Sequence, residues 1–333
     1  MTLYQVTRQI VNQGFLYSLK TGYRAGKIVL HVRGHHKLVK LMHSNPYLKE
    51  ILRLQPRLIY KYLGYYLAFD LSTADRLAIL TNHYGYLNRQ MQHEFFQHVL
   101  NSTHLWQDTQ GENHYRIELS FPYGIDWEGD LTLIFKANAL PIYSVAFTLL
   151  VDRPTKLFSE PAIFVSRIQG AKNFDLVKQT TKDLGDIIPS AVLMAALQGI
   201  ASACGIAQII GVSNRKQLSK GDEAATRFDY DAFWQSLGSD EAVDDLFYLP
   251  VPFPEKSLAL IRNNHRKRTL RKRQFKEQVM QSVGAHFRRN FLRTVDQPDV
   301  SPLNAPQPGH DQQTADAERV GNAAGHGHLD RFG

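Results

Sequence analysis

The stretch Ile163-Phe-Val-Ser-Arg-Ile-Gln-Gly-Ala-Lys decides the fold, because it joins a β-branched and aromatic run to a helical pattern through a glycine. The run from Pro161 to Ile168 predicts a strand, and Phe174 to Leu184 predicts the helix that follows. A glycine at such a junction lets backbone N–H groups approach an anion, and the helix dipole favours that charge. The junction therefore predicts a phosphate cradle, with a plain tight turn as the alternative.

The chain on both sides of this junction continues in strands and helices. Upstream, apolar residues recur with a period of two, and turn residues separate the runs, which predicts an antiparallel meander of strands: Tyr115 to Phe121, Leu131 to Ala137 and Ile142 to Val151. Downstream, the pattern predicts two helices and two strands in alternation: Pro189 to Cys204, Ile206 to Val212, Tyr230 to Leu237 and Phe247 to Val251. The mixture predicts an α+β fold.

The first hundred residues show apolar positions three and four apart, which predicts helices, and Ser72 or Thr73 followed by Asp75 is a helix start signal. His83 and Tyr84 would share a face with Arg76 on that helix, as buried hydrogen-bonded polar groups. We therefore expect four parts: a basic helical region (1–110), an α+β core (111–255), a basic helical segment (256–295) and a disordered, proline-rich tail (296–333).

Charge is unevenly distributed along the 333 residues, which carry 39 Lys and Arg against 31 Asp and Glu, a net charge of +8. Residues 1–60 carry a net charge of +9 and residues 256–293 carry +11, which leaves −12 for the rest. These basic segments either dock on the acidic body or bind an anionic partner, a membrane surface or nucleic acid. Solvated helix faces are the plain alternative.

The apolar segment from Ile187 to Asn214 lacks charge and is long enough to span a bilayer. Pro189 at its start and Gly205 before a β-branched run favour a buried helix and a buried strand instead. Met1 to Lys27 contains no secretory signal, so we expect a cytoplasmic protein, with peripheral contact to the inner membrane as an option.

The common catalytic motifs are absent from the sequence: a Walker loop, a Rossmann glycine fingerprint, Gly-x-Ser-x-Gly and His-Glu-x-x-His. Cys204 is the single cysteine and lies in an apolar run, which predicts a buried, inert thiol. We predict no metal site, because the histidines of Gly325-His-Gly-His lie in the expected tail and are typical of solvated residues. Asp229 or Tyr230 could serve as a catalytic acid or base, although core packing is the alternative for this segment.

The order of strands, Gln-Gly-Ala turn, helix, strand, helix and strand is similar to the acyl-CoA-binding half of GCN5-related N-acetyltransferases. Those proteins hold the cofactor pyrophosphate at an Arg/Gln-x-x-Gly-x-Gly/Ala turn. The resemblance implies an acetyltransferase-like mixed sheet that binds acyl-CoA, with these cofactor-binding residues: Arg167, Gln169, Gly170 and Ala171. Lys172 departs from the pattern, since Gly or Ala is expected there.

Several segments, taken together over roughly residues 40 to 275, resemble the VirK/YbjX family of bacterial proteins. They are Asp75-Arg-Leu-Ala-Ile-Leu-Thr-Asn-His-Tyr, Gly129-Asp-Leu-Thr-Leu-Ile-Phe, Ile142-Tyr-Ser-Val-Ala-Phe, Arg167-Ile-Gln-Gly, Val177-Lys-Gln-Thr-Thr-Lys-Asp-Leu-Gly, Ile209-Ile-Gly-Val-Ser-Asn and Tyr230-Asp-Ala-Phe-Trp-Gln-Ser-Leu-Gly. Two positions depart from the family pattern: Ile188 stands before Pro189 in place of arginine, and Gln217 ends a motif that the family closes with histidine.

The resemblance implies an accessory protein associated with virulence-factor expression or surface placement and with resistance to antimicrobial peptides. Combined with the acetyltransferase-like order, it suggests an acyl-CoA-dependent acyltransferase that acts on an envelope component. The alternative is a non-enzymatic adaptor that binds nucleic acid or the inner membrane surface through its basic ends.

Overall fold

A seven-stranded sheet forms the centre of the computed structural model, which describes residues 26–122, 126–151, 159–171, 173–218, 228–239 and 242–293. The spatial order of the strands is their order along the chain. The strands are β1 (Thr103–Gln110), β2 (Asn113–Ser120), β3 (Leu131–Ala137), β4 (Leu140–Leu150), β5 (Ala162–Gly170), β6 (Gln208–Val212) and β7 (Leu246–Pro250). Each strand is antiparallel to its neighbour except the pair β5 and β6, which is parallel.

Helices precede the sheet, connect its last strands and follow it. They are α1 (Val32–Met42), α2 (Pro46–Leu54), α3 (Thr73–Gln90), α4 (His93–Leu100), α5 (Phe174–Asp183), α6 (Pro189–Ala203), α7 (Tyr230–Ser236) and α8 (Asn263–Phe291), together with short 3-10 turns such as Leu58–Leu63 and Asp126–Glu128. The helices α5 and α6 make the crossover that two adjacent parallel strands require. The α+β class is thereby confirmed, with a helical N-terminal region before a mixed sheet.

The helix α6 lies in the core between the sheet and α8. Its residues from Val192 to Leu197 are all buried. The backbones of α6 and α8 approach closely at Gly199 and Gly284, where a Cβ on Gly199 would lie 2.9 Å from Gly284 N and would overlap Met280 O. Two glycines therefore let the C-terminal half of α8 pack on the apolar helix.

One element differs in type from the sequence-based expectation. The strand β1 lies in the region 1–110 that was expected to be helical, whereas α8 lies within the segment 256–295 that was predicted to be helical. The described residues up to Arg293 belong to one compact unit. The tail at 296–333, predicted to be disordered, and the histidines of Gly325-His-Gly-His lie outside the described residues.

None of the helices in the described ranges is both long and apolar enough to cross a bilayer. The uncharged segment that prompted the question consists of the buried helix α6 and the buried strand β6, as its glycine and proline predicted.

Candidate functional site

The parallel strands β5 and β6 diverge after a short paired stretch. They pair only from Ile163 opposite Ile209 to Val165 opposite Gly211. Beyond this point β5 continues beside β4 to Gly170, whereas β6 ends at Val212. The edge of β5 that faces β6 therefore loses its strand partner from Ser166 onward.

The phenol of Tyr230 occupies that open edge. The Ile168 N–H donates to the Tyr230 oxygen at 3.1 Å, and the Tyr230 hydroxyl lies 3.3 Å from the Ile168 carbonyl oxygen, to which it donates. The residue is 5% exposed, and burial raises the pKa of its phenol to about 12. Tyr230 therefore stays protonated at neutral pH, and it can donate a proton or a hydrogen bond in the gap between the strands.

A buried carboxylate, that of Glu128, lies beside this gap. Its side chain is fully buried, and Arg167 Nε lies 3.0 Å from its Oε2. Gln217 Nε2 lies 3.5 Å from its Oε1, at the limit of a hydrogen bond. The gap thus contains one buried acid, one cation and two neutral polar side chains, Gln217 and Tyr230.

A β-bulge shapes β5 at the same level. Ala146 of β4 pairs with Arg167 and Phe147 pairs with Val165, so Ser166 is the additional residue on β5. Its hydroxyl donates to the Glu128 carbonyl oxygen. Because a bulge re-aims the side chains that follow it, the bulge explains how Arg167 reaches Glu128 from a strand.

A second buried polar cluster lies two residues further along the chain, around Asp130. Lys61 Nζ lies 2.7 Å from Asp130 Oδ1, and both side chains are almost completely buried. Tyr66 and Thr148 donate to Oδ2, the latter at 2.7 Å. Burial acts to raise the pKa of Asp130, but the charge of Lys61 and the hydrogen bonds from Lys61 and Tyr66 outweigh burial and lower it.

His83 borders this second cluster and is 0% exposed. Its Nδ1 accepts from the Leu149 N–H at 3.1 Å, whereas its Nε2 has no hydrogen-bond partner among the described residues. Burial is the main cause that lowers the pKa of His83 to about 4. The histidine is therefore neutral at pH 7. It is buried, as the sequence predicted, but only one of its two ring nitrogens has a hydrogen-bond partner among the described residues.

Of the two predicted catalytic residues, the structure places Tyr230 in the gap and Asp229 outside it. Asp229 is exposed and begins α7, where its Oδ1 accepts from the Ala232 N–H at 3.1 Å and from Asn214 Nδ2 at 2.9 Å. These hydrogen bonds lower its pKa, that from Ala232 most. Asp229 has the contacts of a helix cap, and a catalytic role for it stays a prediction.

The four predicted cofactor-binding residues share the end of β5. Arg167 contacts Glu128 and also donates to Gln169, which is exposed. Gly170 and Ala171 continue the ladder with β4, where the Ala171 N–H donates to the Ile142 carbonyl at 2.8 Å.

The glycine at 170 has a packing reason of its own, because a Cβ there would lie 2.9 Å from the Tyr143 ring. Binding of a phosphate at this turn stays a prediction. One of the N–H groups that would contact the phosphate, that of Ala171, already donates to a carbonyl within the sheet.

The two departures from the family pattern fall in different places. Gln217 is 8% exposed and contacts Glu128 in the gap, whereas Ile188 is 50% exposed at the start of α6.

Cys204, the single cysteine, directly follows the last residue of α6 and is half-buried. The pKa of its thiol is raised to about 11, chiefly by burial. Cys204 is thus less buried than the sequence predicted, and its raised pKa disfavours the reactive thiolate at neutral pH.

Sequence reasoning did not select Glu128 and Asp130, which lie between the predicted strands Tyr115 to Phe121 and Leu131 to Ala137. The signal was present, since Trp127-Glu-Gly-Asp places two acids around a glycine directly before a strand. Gly129 between them has no room for a side chain, because a Cβ would lie 2.9 Å from Phe147 N. The described residues contain no group of three or more His, Cys, Asp or Glu side chains arranged to hold a metal ion.

Comparison with known proteins supplies the family. The family described as "Protein of unknown function (DUF535)" matches residues 24–285. The chain is 28% identical over 255 residues to the "Uncharacterized protein YbjX" of Escherichia coli (strain K12), which covers 73% of this chain and 76% of that protein. The resemblance to the VirK/YbjX family is thereby confirmed.

A structural match was also found, to a mutant of the cAMP-binding acyltransferase from Mycobacterium smegmatis. The match has 12% identity and a TM-score of 0.28, and it covers 65% of this chain and 63% of the other protein's length. Similarity at this level carries no argument about fold or activity.

Proposed function

The chain belongs to the DUF535 family, and we propose that it is an acyl-CoA-dependent acyltransferase that uses the gap between β5 and β6. Its acceptor would be an amine or hydroxyl group on an envelope component. This activity would serve the roles that the family resemblance implies, virulence-factor placement and resistance to antimicrobial peptides.

The observation that carries the proposal is the backbone edge at Ile168, which has no strand partner on the β6 side and is occupied by a single side chain. After the strands diverge, the N–H and C=O of Ile168 are bonded to the Tyr230 phenol and to no strand. The pantetheine arm of coenzyme A contains amide groups, which can pair with a strand edge as another strand would. The N–H and C=O of Ile168 would therefore suit this ligand once it displaces the Tyr230 phenol.

The residues around the gap can take part in the transfer itself. The acceptor nitrogen or oxygen attacks the thioester carbonyl carbon, and the carbon–sulfur bond breaks to release the thiolate of coenzyme A. Glu128 would accept the acceptor's proton, and the protonated Tyr230 would donate one to the leaving sulfur. Arg167, with its Nε 3.0 Å from Glu128 Oε2, would hold that carboxylate in position before the transfer.

The test is binding of coenzyme A and acetyl-CoA, measured by titration calorimetry and thermal unfolding. A ligand that binds only the folded protein raises its melting temperature by mass action. Tyr230→Phe removes the hydroxyl that competes for Ile168, a hydrogen bond of about 1 kcal/mol, so we expect roughly fivefold tighter binding. Tyr248→Phe, a matched change on β7, should leave the affinity unchanged.

Glu128→Gln separates binding from chemistry, because it keeps the shape of the side chain and removes the base. This variant should bind acetyl-CoA as the wild type does. The acyltransferase proposal would be wrong if neither the wild type nor Tyr230→Phe released or absorbed heat on titration with acetyl-CoA, and if neither showed a thermal shift at the highest ligand concentration.

A further inference from the structure

We propose that the outer face of α1 binds the surface of an anionic lipid membrane. We define the α1 outer face as Arg33, Lys37 and Lys40 of the helix together with three exposed apolar residues: Val32, the first residue of α1, and Val29 and Leu30, which precede it. The three cations lie four and three positions apart, so they project from one side of the helix.

The orientation of α1 is fixed by its packing. Leu38 and Met42, on the opposite side, are 0% exposed. A Cβ on Gly34 would lie 2.6 Å from Leu77 Cδ2, so the helix lies directly on α3. The outer face therefore cannot turn inward without loss of this contact.

No acidic side chain in the described part of the chain pairs with the cations of the α1 outer face, Arg33, Lys37 and Lys40. Glu50, the one acid in residues 26–57, lies 2.7 Å from Arg53. The complementary charge must therefore come from outside the helix pair formed by α1 and α2.

The basic segment at α8 differs in this respect. Arg268 lies 2.6 Å from Asp186, and Arg273 lies 2.9 Å from Glu255. The Lys272 ammonium donates to the Asp186 carbonyl at 2.5 Å. Some of the cations of α8 thus pair with acidic or carbonyl groups of the same chain. This makes α1 the stronger candidate to bind an anionic partner.

The apolar residues of the α1 outer face favour a membrane over nucleic acid. Val29, Leu30 and Val32 are 72%, 81% and 56% exposed, three within four positions. Binding of nucleic acid phosphates gains little from exposed aliphatic side chains. A helix at a lipid interface uses both features, because its cations meet anionic headgroups while aliphatic side chains enter the acyl boundary.

The experiment is sedimentation of the full chain with vesicles of phosphatidylcholine, with and without phosphatidylglycerol. We expect binding to the mixed vesicles only, weakened by salt. Arg33→Glu/Lys37→Glu should weaken binding at least about tenfold, given that each basic residue near the surface contributes substantially. Lys178→Glu/Lys182→Glu changes the net charge equally on exposed positions of α5 and should leave binding unchanged.

Leu30→Ser supplies a second readout, since it should weaken binding to the vesicles without any change in charge. Circular dichroism and the melting temperature should be preserved in every variant, because all the changed residues are at least partly exposed. Equal binding by the two charge-reversal variants would overturn the proposal. The proposal would also be overturned if the protein did not bind the vesicles but was retained on DNA in a salt-sensitive way, and if Leu30→Ser were retained on DNA equally well.

Discussion

Replacement of Lys61 by methionine should destabilise the protein strongly, because it leaves the buried Asp130 carboxylate without its cation. In the native structure Lys61 Nζ lies 2.7 Å from Asp130 Oδ1 and donates to the Gly129 carbonyl at 2.7 Å. The hydroxyls of Tyr66 and Thr148 would remain, but they carry no charge. Removal of one partner of a buried pair costs about 3–5 kcal/mol, a large part of the total stability of a typical domain.

A double variant separates the buried charge from the lost packing. Lys61→Met/Asp130→Asn removes both charges, so its free energy of unfolding should exceed that of Lys61→Met by about 2 kcal/mol. The measurement is urea unfolding of each variant, followed by circular dichroism. Lys178→Met, an exposed lysine on α5, is the control and should unfold as the wild type does.

The dependence on pH gives an independent check on the same cause. In the wild type the pKa of Asp130 is lowered, although burial acts to raise it. Without Lys61, burial prevails and the folded carboxyl binds a proton more readily than the unfolded one. The folded state then gains stability as pH falls, so the deficit of Lys61→Met should shrink between about pH 7 and about pH 5. A deficit below about 1 kcal/mol, or a double variant less stable than the single one, would refute the reasoning.

Two further predictions concern His83 and Gly199. The pKa of His83 is lowered from 6.5 to about 4, so its contribution to stability is present above about pH 6.5 and is lost as pH falls toward 4, by about 3 kcal/mol. Urea unfolding across this range should show a smaller loss for His83→Gln than for the wild type, and equal losses would contradict the prediction. Gly199→Ala places a Cβ against Met280 O and should cost about 1–3 kcal/mol by overpacking. Gly64→Ala, where a Cβ meets nothing within 4 Å, is the control for thermal unfolding, and a similar melting temperature for both would show that the helices can separate.

The strands with apolar alternation were predictable from the sequence, because local pattern and burial agree there. Leu131 to Ala137 was predicted with the bounds that the structure has. β1 was missed because it lies at the edge of the sheet and only Leu105 of its eight residues is buried. A strand without an apolar face leaves no period of two for the sequence to show.

The candidate site was predictable only in part. Arg167 and Tyr230 were selected from the strand-to-helix junction and from the start of α7, and the structure brings both to the gap. Glu128 and Asp130 were missed because acids beside a glycine ordinarily mark an exposed turn. Their burial depends on distant partners, since Lys61 lies 69 positions before Asp130. A contact between residues so far apart in the sequence cannot be predicted from a local pattern of residue types.

The two buried clusters meet at Gly129, and this position explains how Glu128 is held. The Glu128 carbonyl accepts from Ser166, the Gly129 carbonyl accepts from Lys61, and the Asp130 N–H donates to the Phe147 carbonyl at 3.0 Å. None of these bonds uses the Glu128 carboxylate. Because the turn is fixed through its main chain, the Glu128 carboxylate does not hold the backbone in place, and a change of its partner need not move that backbone, as the proposed acid–base role would require.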